Sequence, residues 1–250
     1  MKEGEYNMSY VLIVGAKSDI ARACAREYAK NGYDLYLAAR DVEKLTDFAQ
    51  DVVTRTQRDV NLVELDILDY KSHQAFYENL EEKPLGVISA VGYLGDQQKA
   101  QSDFTEAKKI VDTNYTGVVS LFNIIADDFE KRRSGFMVGI SSVAGDRGRK
   151  SNYIYGSAKA ALTAYLSGLR NRLYETQVQV LTVKPGFVAT KMTEELDLPE
   201  KLTAQPEEVA QDIFSAQQKG KNILYTKWIW KYIMMIIKAI PEWKFKGMSI

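Results

Sequence analysis

The 250-residue chain has little of several things, and each shortage excludes a class of chemistry. A single cysteine, Cys24, rules out an intrachain disulfide, and a single histidine, His73, leaves no His/Cys cluster for a transition metal. A Ser-His-Asp hydrolase would have to be built on His73, which lies in a polar stretch, so that chemistry is set aside; Cys24 sits at a core-facing helical position. Neither sign of charge is in excess, with 33 Lys+Arg against 33 Asp+Glu, which gives no argument for nucleic-acid binding. The opening residues, MKEGEYNMSY, lack the apolar run of a signal peptide, predicting a protein made and kept in the cytoplasm. Linkers, repeats and low-complexity segments are likewise lacking. The length suffices for a sizeable core, and one α/β domain over 1–250 accounts for the chain, with 1–8 as a loose polar arm and 227–250 as an apolar, basic tail.

What the chain does have is an alternation of short apolar runs and longer segments of helical period. Tyr10 to Val14 reads as a strand, followed at once by Gly15-Ala-Lys17-Ser18-Asp19-Ile20-Ala21 and a helix whose core positions run to Ala29 before Asn31-Gly32. A strand, a glycine turn and a helix N-terminus make a phosphate site in α/β folds. Leu35 to Ala39 reads as a second strand, ending in Arg40. The residue just past that strand reads the adenosine ribose in a dinucleotide fold; an arginine there, with Lys17 nearby, favours NADP(H) over NAD(H), the alternative being a solvated arginine. Further strands are expected at Asn61–Leu65 (with Asp66 at its ligand-facing end), Leu85–Val91, Phe136–Ile140, Gln177–Val183 and Asn222–Tyr225. Helices are expected around Val42–Val52, Ser72–Glu82, Thr105–Arg132, Tyr155–Leu173 and from Pro206. The pattern predicts one doubly wound, Rossmann-type parallel sheet of about seven strands with helices on both faces. Asn114, in the middle of the longest helix, is a poor helix former there and is either retained for a polar contact or a surface residue.

The stretch from Gly139 to Lys159 carries the chemistry. Tyr155-x-x-x-Lys159 puts a phenol and an ammonium on one helix face, and Ser142 lies thirteen residues before the tyrosine. A nearby cation lowers a phenol from its ordinary pKa of about 10 and makes it a general acid or base near neutral pH. Ser142 supplies a hydroxyl to hold the substrate oxygen beside it. Tyr153 competes, but four residues on it meets Ser157 rather than a lysine.

Together these residues resemble the short-chain dehydrogenase/reductase family as far as about Thr226. Gly15-x-x-x-Asp19-Ile20-Ala21 stands where that family has its glycine motif, and Asp66 where it has its adenine-contacting acid. Ser89-Ala90-Val-Gly92 stands in place of the usual Asn-Asn-Ala-Gly. Asn114, Ser142, Tyr155 and Lys159 match the four catalytic positions, and Pro185-Gly186…Val188…Thr190 the segment flanking the nicotinamide. The departures are the second and third motif glycines and the Asn-Asn pair. The resemblance implies that Gly15, Lys17, Ser18, Asp19, Ile20, Arg40, Asp66, Ala90, Gly92, Tyr155, Lys159, Val188 and Thr190 bind NADP(H). It implies further that Lys159 holds the nicotinamide ribose and that Asn114 holds a water leading from Lys159 to solvent.

A narrower resemblance, in Gly92-Tyr-Leu-Gly-Asp96, Asn114-Tyr-Thr-Gly117, Asn152-Tyr-Ile-Tyr-Gly-Ser157 and the tail, is to the decaprenylphosphoryl-2-keto-pentose reductase branch. It implies reduction of a 2-keto sugar on a polyprenyl phosphate, for surface polysaccharide synthesis. A flavin-dependent oxidase partner would complete an epimerisation at C2. The alternatives are another ketone (a 3-oxoacyl thioester or a free sugar) and a non-catalytic NADPH-binding sensor or scaffold. A homo-oligomer is expected. Trp228 to Ile240 is too short to span a bilayer, which takes about 20 residues. As a helix it would bring Lys227, Lys231 and Lys238 within about 40° of one another on an otherwise apolar surface, with Lys244 and Lys246 beyond. That stripe suits the membrane interface, here the inner face of the membrane; a dimer interface or a cover over the substrate cleft are the alternatives.

Overall fold

The computed structural model describes residues 9–194 and 197–248; the arm expected over 1–8 and the last two residues of the tail lie outside them. Strand β1 (Tyr10–Val14) is buried along its whole length. Side chains alternate across a strand, so Val11 and Ile13 enter one core and Tyr10, Leu12 and Val14 the other. A run apolar on both faces is what a covered parallel strand needs. Helix α1 (Asp19–Lys30) follows, capped by Ser18, whose Oγ accepts from Ala21 N. Then come β2 (Asp34–Ala39), α2 (Thr46–Thr56), β3 (Val60–Glu64), α3 (His73–Glu78) and β4 (Gly86–Ser89). The middle of the chain forms α4 (Gln97–Ser102), α5 (Phe104–Val111), α6 (Gly117–Arg132), β5 (Phe136–Ile140) and α7 (Tyr153–Arg172). The last part forms β6 (Gln179–Pro185), β7 (Phe187–Val188), β8 (Thr203–Ala204), α8 (Pro206–Gln218), β9 (Ile223–Thr226), α9 (Ile229–Ala239) and α10 (Glu242–Phe245).

Seven strands form one parallel sheet in the order β3-β2-β1-β4-β5-β6-β9, and β7 pairs with β8 in a small second sheet. Ala25, Phe48 and Ile213 from α1, α2 and α8 cover one face; Tyr77, Phe122, Phe129 and Leu166 from α3, α6 and α7 cover the other. Each large side chain so buried contributes roughly 1.5–3 kcal/mol. The strand order reverses between β1 and β4, and the carboxyl ends of those strands open a crevice at the switch point.

The expected doubly wound sheet is therefore present, with strand ends shifted by one to a few residues. The single helix expected over Thr105–Arg132 is not. It is α5 and α6 joined by a π-helical turn at Asp112–Thr116, with Asn114 wholly buried inside the turn. His73 also differs from expectation: it is fully buried, its Nδ1 is 3.0 Å from Ser120 Oγ on α6, and burial lowers its pKa. Cys24 is buried, as its helical position predicts.

Candidate active site

The site is assembled at the carboxyl ends of β1, β4, β5 and β6. Gly15 turns the chain out of β1 at φ +80°, a conformation that favours glycine. A Cβ there would sit 3.0 Å from the Ala90 backbone, so β1 and β4 close on each other only because it is missing. Ser18 Oγ donates to Ala90 O at 3.4 Å while capping α1, which ties the same two strand ends together. The result is a helix N-terminus facing open space, a favourable seat for phosphate.

Two cavities meet along this line. One, of about 290 Å³, is lined by Gly15, Arg40, Asp66 and Tyr93. The other, of about 350 Å³, is lined by Asp19, Ile20, Ser142, Tyr155, Lys159, Val188 and Thr190. Lys17, Ser18, Ala90 and Gly92 border both, so the expected cofactor residues fall along one continuous trench. Arg40 is exposed at the outer end and, among the described residues, makes no ion pair. Lys17, expected to assist it, instead bonds Asp41 at 3.1 Å; Lys44 does the same, and the two ammonium groups hold the Asp41 carboxyl below its usual range. Asp66 Oδ1 accepts from Leu68 N, which fixes the turn after β3. Asp19, in place of a motif glycine in the first turn of α1, accepts from Lys191 N at 2.9 Å.

In the second cavity Ser142 lies just past β5, and its Oγ accepts from Ala144 N. The preceding Ser141 plays a different part. It is buried and bonds Lys159 O and Thr163 Oγ1, holding β5 to α7. Tyr155 and Lys159 lie one turn apart on α7, as their spacing requires; Tyr153 is exposed. The electrostatics differ from expectation. Lys159 Nζ is buried, donates to Ile140 O at 2.9 Å and Val91 O at 3.3 Å, and stands 5.8 Å from the centroid of the Tyr155 ring. Desolvation lowers the Lys159 pKa to about 7. Burial pushes the Tyr155 phenol up to about 12, a rise the Ser142 hydrogen bond only partly opposes. The depressed phenol expected from the pair is thus not found, because two backbone carbonyls rather than the phenol take the ammonium.

Asn114 borders neither cavity. Its Nδ2 donates to Tyr93 O at 2.6 Å and Ile110 O at 2.8 Å, and its Oδ1 accepts from Tyr93 N. A Cβ on Gly92 would lie 3.7 Å from Asn114 Oδ1 and 3.9 Å from Lys159 Nζ, which puts the two polar groups behind the same short segment.

The tail packs beside the second cavity, close to the cover over the substrate cleft that the sequence leaves open as one alternative. Helix α9 lays Trp230 and Met234 on Phe187 and Val143 beside the second cavity; the Phe187 and Trp230 rings meet edge to face at 5.0 Å. Gly186 admits the indole, since a Cβ there would lie 1.9 Å from Trp230 Nε1. Arg149 and Asn152 line the cavity beneath. Lys227 precedes α9 in a left-handed conformation, so of the three lysines expected on one helical stripe only Lys231 and Lys238 are on the helix. Trp228, Tyr232, Met235, Ile236 and Trp243 are exposed on the outside. Among the described residues no cluster suits a metal, and no helix is long and apolar enough to cross a membrane.

Comparison with known proteins agrees with this geometry. Residues 9–201 match the family model described as short chain dehydrogenase. A Mycobacterium tuberculosis protein named an uncharacterized oxidoreductase is 36% identical over 241 residues, 95% of this chain and 96% of its own. Sulfoacetaldehyde reductase 2 of Chromohalobacter salexigens is 32% identical over 188 residues, 73% of this chain and 74% of its own. Among solved structures, a short-chain dehydrogenase from Sphingobium yanoikuyae in complex with NADPH superposes with a TM-score of 0.82 at 21% identity, over 94% of this chain and 97% of that one.

Proposed function

The chain belongs to the short-chain dehydrogenase family of oxidoreductases, and from that premise we propose that it reduces a ketone to a secondary alcohol with NADPH. The observation that carries this reading is the cavity where Ser142 and Tyr155 meet over Lys159 at the end of a trench fit for a dinucleotide. The Gly15 turn and the α1 N-terminus suit the pyrophosphate, Asp66 the adenine, Lys159 the nicotinamide ribose, and Val188 with Thr190 the nicotinamide face. Arg40 suits a 2′-phosphate. Asp41, the nearest acid that could take a ribose hydroxyl instead, is engaged by Lys17 and Lys44, which favours NADP(H) over NAD(H).

A bound nicotinamide supplies hydride to the carbonyl carbon. Tyr155 donates its proton to the carbonyl oxygen, and Ser142 hydrogen-bonds that oxygen and holds it in place. A phenol pushed up to about 12 is fully protonated at neutral pH, the form an acid needs in the reducing direction. Lys159, lowered to about 7 by burial, stands 5.8 Å from the centroid of the Tyr155 ring, where its charged form steadies the phenolate left after proton transfer. Asn114 acts from behind, fixing the Tyr93 backbone and the π turn that border the site. A non-catalytic sensor has no use for this proton-handling set.

For substrate we propose a 2-keto sugar on a polyprenyl phosphate, in the cytoplasm at the inner face of the membrane, with a flavin-dependent oxidase making the ketone. The branch motifs support this, as does the tail. Trp228, Tyr232, Met235, Ile236 and Trp243 with Lys231, Lys238, Lys244 and Lys246 form an exposed aromatic and cationic surface of the kind that rests on lipid headgroups, next to the roof of the cavity. The test is NADPH oxidation with a detergent-solubilised polyprenyl-phosphate keto sugar against the free keto sugar and a 3-oxoacyl thioester. At least tenfold selectivity for the lipid-linked ketone, and loss of most activity with NADH, are expected. Equal turnover of the free sugar would remove the lipid from the assignment, and no turnover of any ketone would overturn the reductase reading.

A further inference from the structure

Two arginines stand close together in the segment between β5 and α7, and their surroundings differ. Arg147 is fully used: its Nη1 donates to Ile237 O and Ile240 O, its Nη2 pairs with Glu242, and its guanidinium lies 3.7 Å from the Phe245 ring centroid. Arg149 faces the cavity that holds Ser142 and Tyr155, and among the described residues no carboxylate pairs with it. Its Nη2 meets only the thioether sulfur of Met234 at 3.3 Å, a weak acceptor, and its Nε is buried without a partner. The nearest acid in sequence, Asp146, gives one carboxylate oxygen to Lys184 and the other to Tyr225. Beside Arg149, Asn152 Oδ1 is also buried, lines the same cavity and has no donor. Asp19, the one carboxylate on the cavity wall among the described residues, is spent on Lys191 N.

A half-buried guanidinium with no ion-pair partner among the described residues is costly to maintain, and burial lowers its pKa from the ordinary value even against the opposing field of Asp146. Such a group becomes favourable when an oxyanion enters, because its planar fork bonds two oxygens of a phosphate at once. The open acceptor on Asn152 suits a hydroxyl next to that anion.

We infer that Arg149 is the anion receptor of the substrate pocket, and that the ketone reduced here carries a phosphate-class oxyanion, with a neighbouring hydroxyl, on the side roofed by α9. The inference rests on the reductase reading and narrows it, since a neutral ketone leaves Arg149 unpaired. The oxyanion has two sources, the phosphate of a lipid-linked sugar and that of a soluble sugar phosphate.

Two measurements test it on the full chain. In the first, inorganic phosphate is titrated at saturating NADP+, so that the cofactor's own phosphate sites are filled, and thermal stability is followed. Saturable stabilisation is expected in the wild type, with affinity at least tenfold weaker in Arg149→Gln and intermediate in Arg149→Lys. In the second, kcat/KM is compared for dihydroxyacetone phosphate and dihydroxyacetone. The ratio should favour the phosphate at least tenfold in the wild type, fall close to one in Arg149→Gln and recover in part in Arg149→Lys. A larger preference for a polyprenyl-phosphate keto sugar over its phosphate-free analogue assigns the lipid source; preference for dihydroxyacetone phosphate alone assigns the soluble one. Phosphate affinity and substrate ratio both unchanged in Arg149→Gln would overturn the receptor. Loss of both substrates in equal measure with phosphate affinity intact would reduce Arg149 to a structural residue and overturn it too. Phosphate binding that depends on Arg149, in a protein that reduces no ketone, would keep the receptor and sink the reductase reading instead.

Discussion

Two buried amines sit within the same half of the molecule and have opposite surroundings. Lys184, on β6, is closed: its ammonium meets Asp146 at 2.5 Å, and the other carboxylate oxygen accepts from Tyr225 at 2.8 Å. Lys159, on α7, is open: its ammonium has only the carbonyl oxygens of Ile140 and Val91, and among the described residues no carboxylate answers it. The first arrangement fixes a charge and holds β6, β9 and the segment after β5 in register. The second leaves a charge that desolvation makes labile near neutral pH, where a structural pair would hold it. The difference lies in the partner rather than in depth, for both side chains are almost fully buried.

The comparison can be broken most severely at Tyr155, the phenol one turn before the open amine and the proposed general acid. Tyr155→Phe should lower ketone reduction by about 10²–10⁴-fold, the usual worth of a general acid, while NADPH affinity by fluorescence titration changes less than threefold. Near-normal turnover would remove Tyr155 from its role. Breaking the closed site comes next. Asp146→Asn strands the Lys184 charge and should cost about 3–5 kcal/mol in denaturant unfolding, most of it regained in the Asp146→Asn/Lys184→Met double variant. A single variant as stable as the wild type would show that the pair is not closed as described.

The smallest effect separates the two amines by pH. The folded Lys159 pKa, about 7, lies below its unfolded value of about 10.4, so the unfolded chain binds more protons between those limits. The penalty is complete below pH 7 and is relieved as pH rises through that window. Wild-type stability should therefore gain roughly 2 kcal/mol from this group between pH 7 and pH 9, and Lys159→Met should lose that slope. An unchanged slope in the variant would place the origin elsewhere.

The sheet was legible because β1 and β5 are unbroken apolar runs that suit a doubly covered strand, and the Gly15 turn because no other residue holds that φ so readily. The joined helix at Asn114 was not legible, since the π turn answers a contact with Tyr93, twenty-one residues away, that no periodicity records. The burial of His73 was hidden for a similar reason: Asp66, Asp69 and Tyr70 stay near it in space, but Ser120, which meets its Nδ1, comes from α6, forty-seven residues on. Spacing placed Tyr155 and Lys159 correctly on one face. It could not show how the phenol would titrate, because the carbonyls that draw the ammonium away belong to β5 and the segment after β4. Arg149 lay in plain view in Arg-Gly-Arg-Lys, yet its meaning depends on what it fails to touch.

The bond from Lys191 N to Asp19 joins two walls of the trench that the sequence keeps far apart. It fastens the segment after β7 to the start of α1 across 172 residues of sequence, at the rim of the cavity that holds Ser142 and Tyr155. A hydrogen bond from a backbone N–H to a carboxylate contributes about 1.5–3 kcal/mol, so the tie is local and the sheet does not depend on it. Asp19→Ala should therefore loosen one corner of the rim while the seven-stranded sheet stays intact.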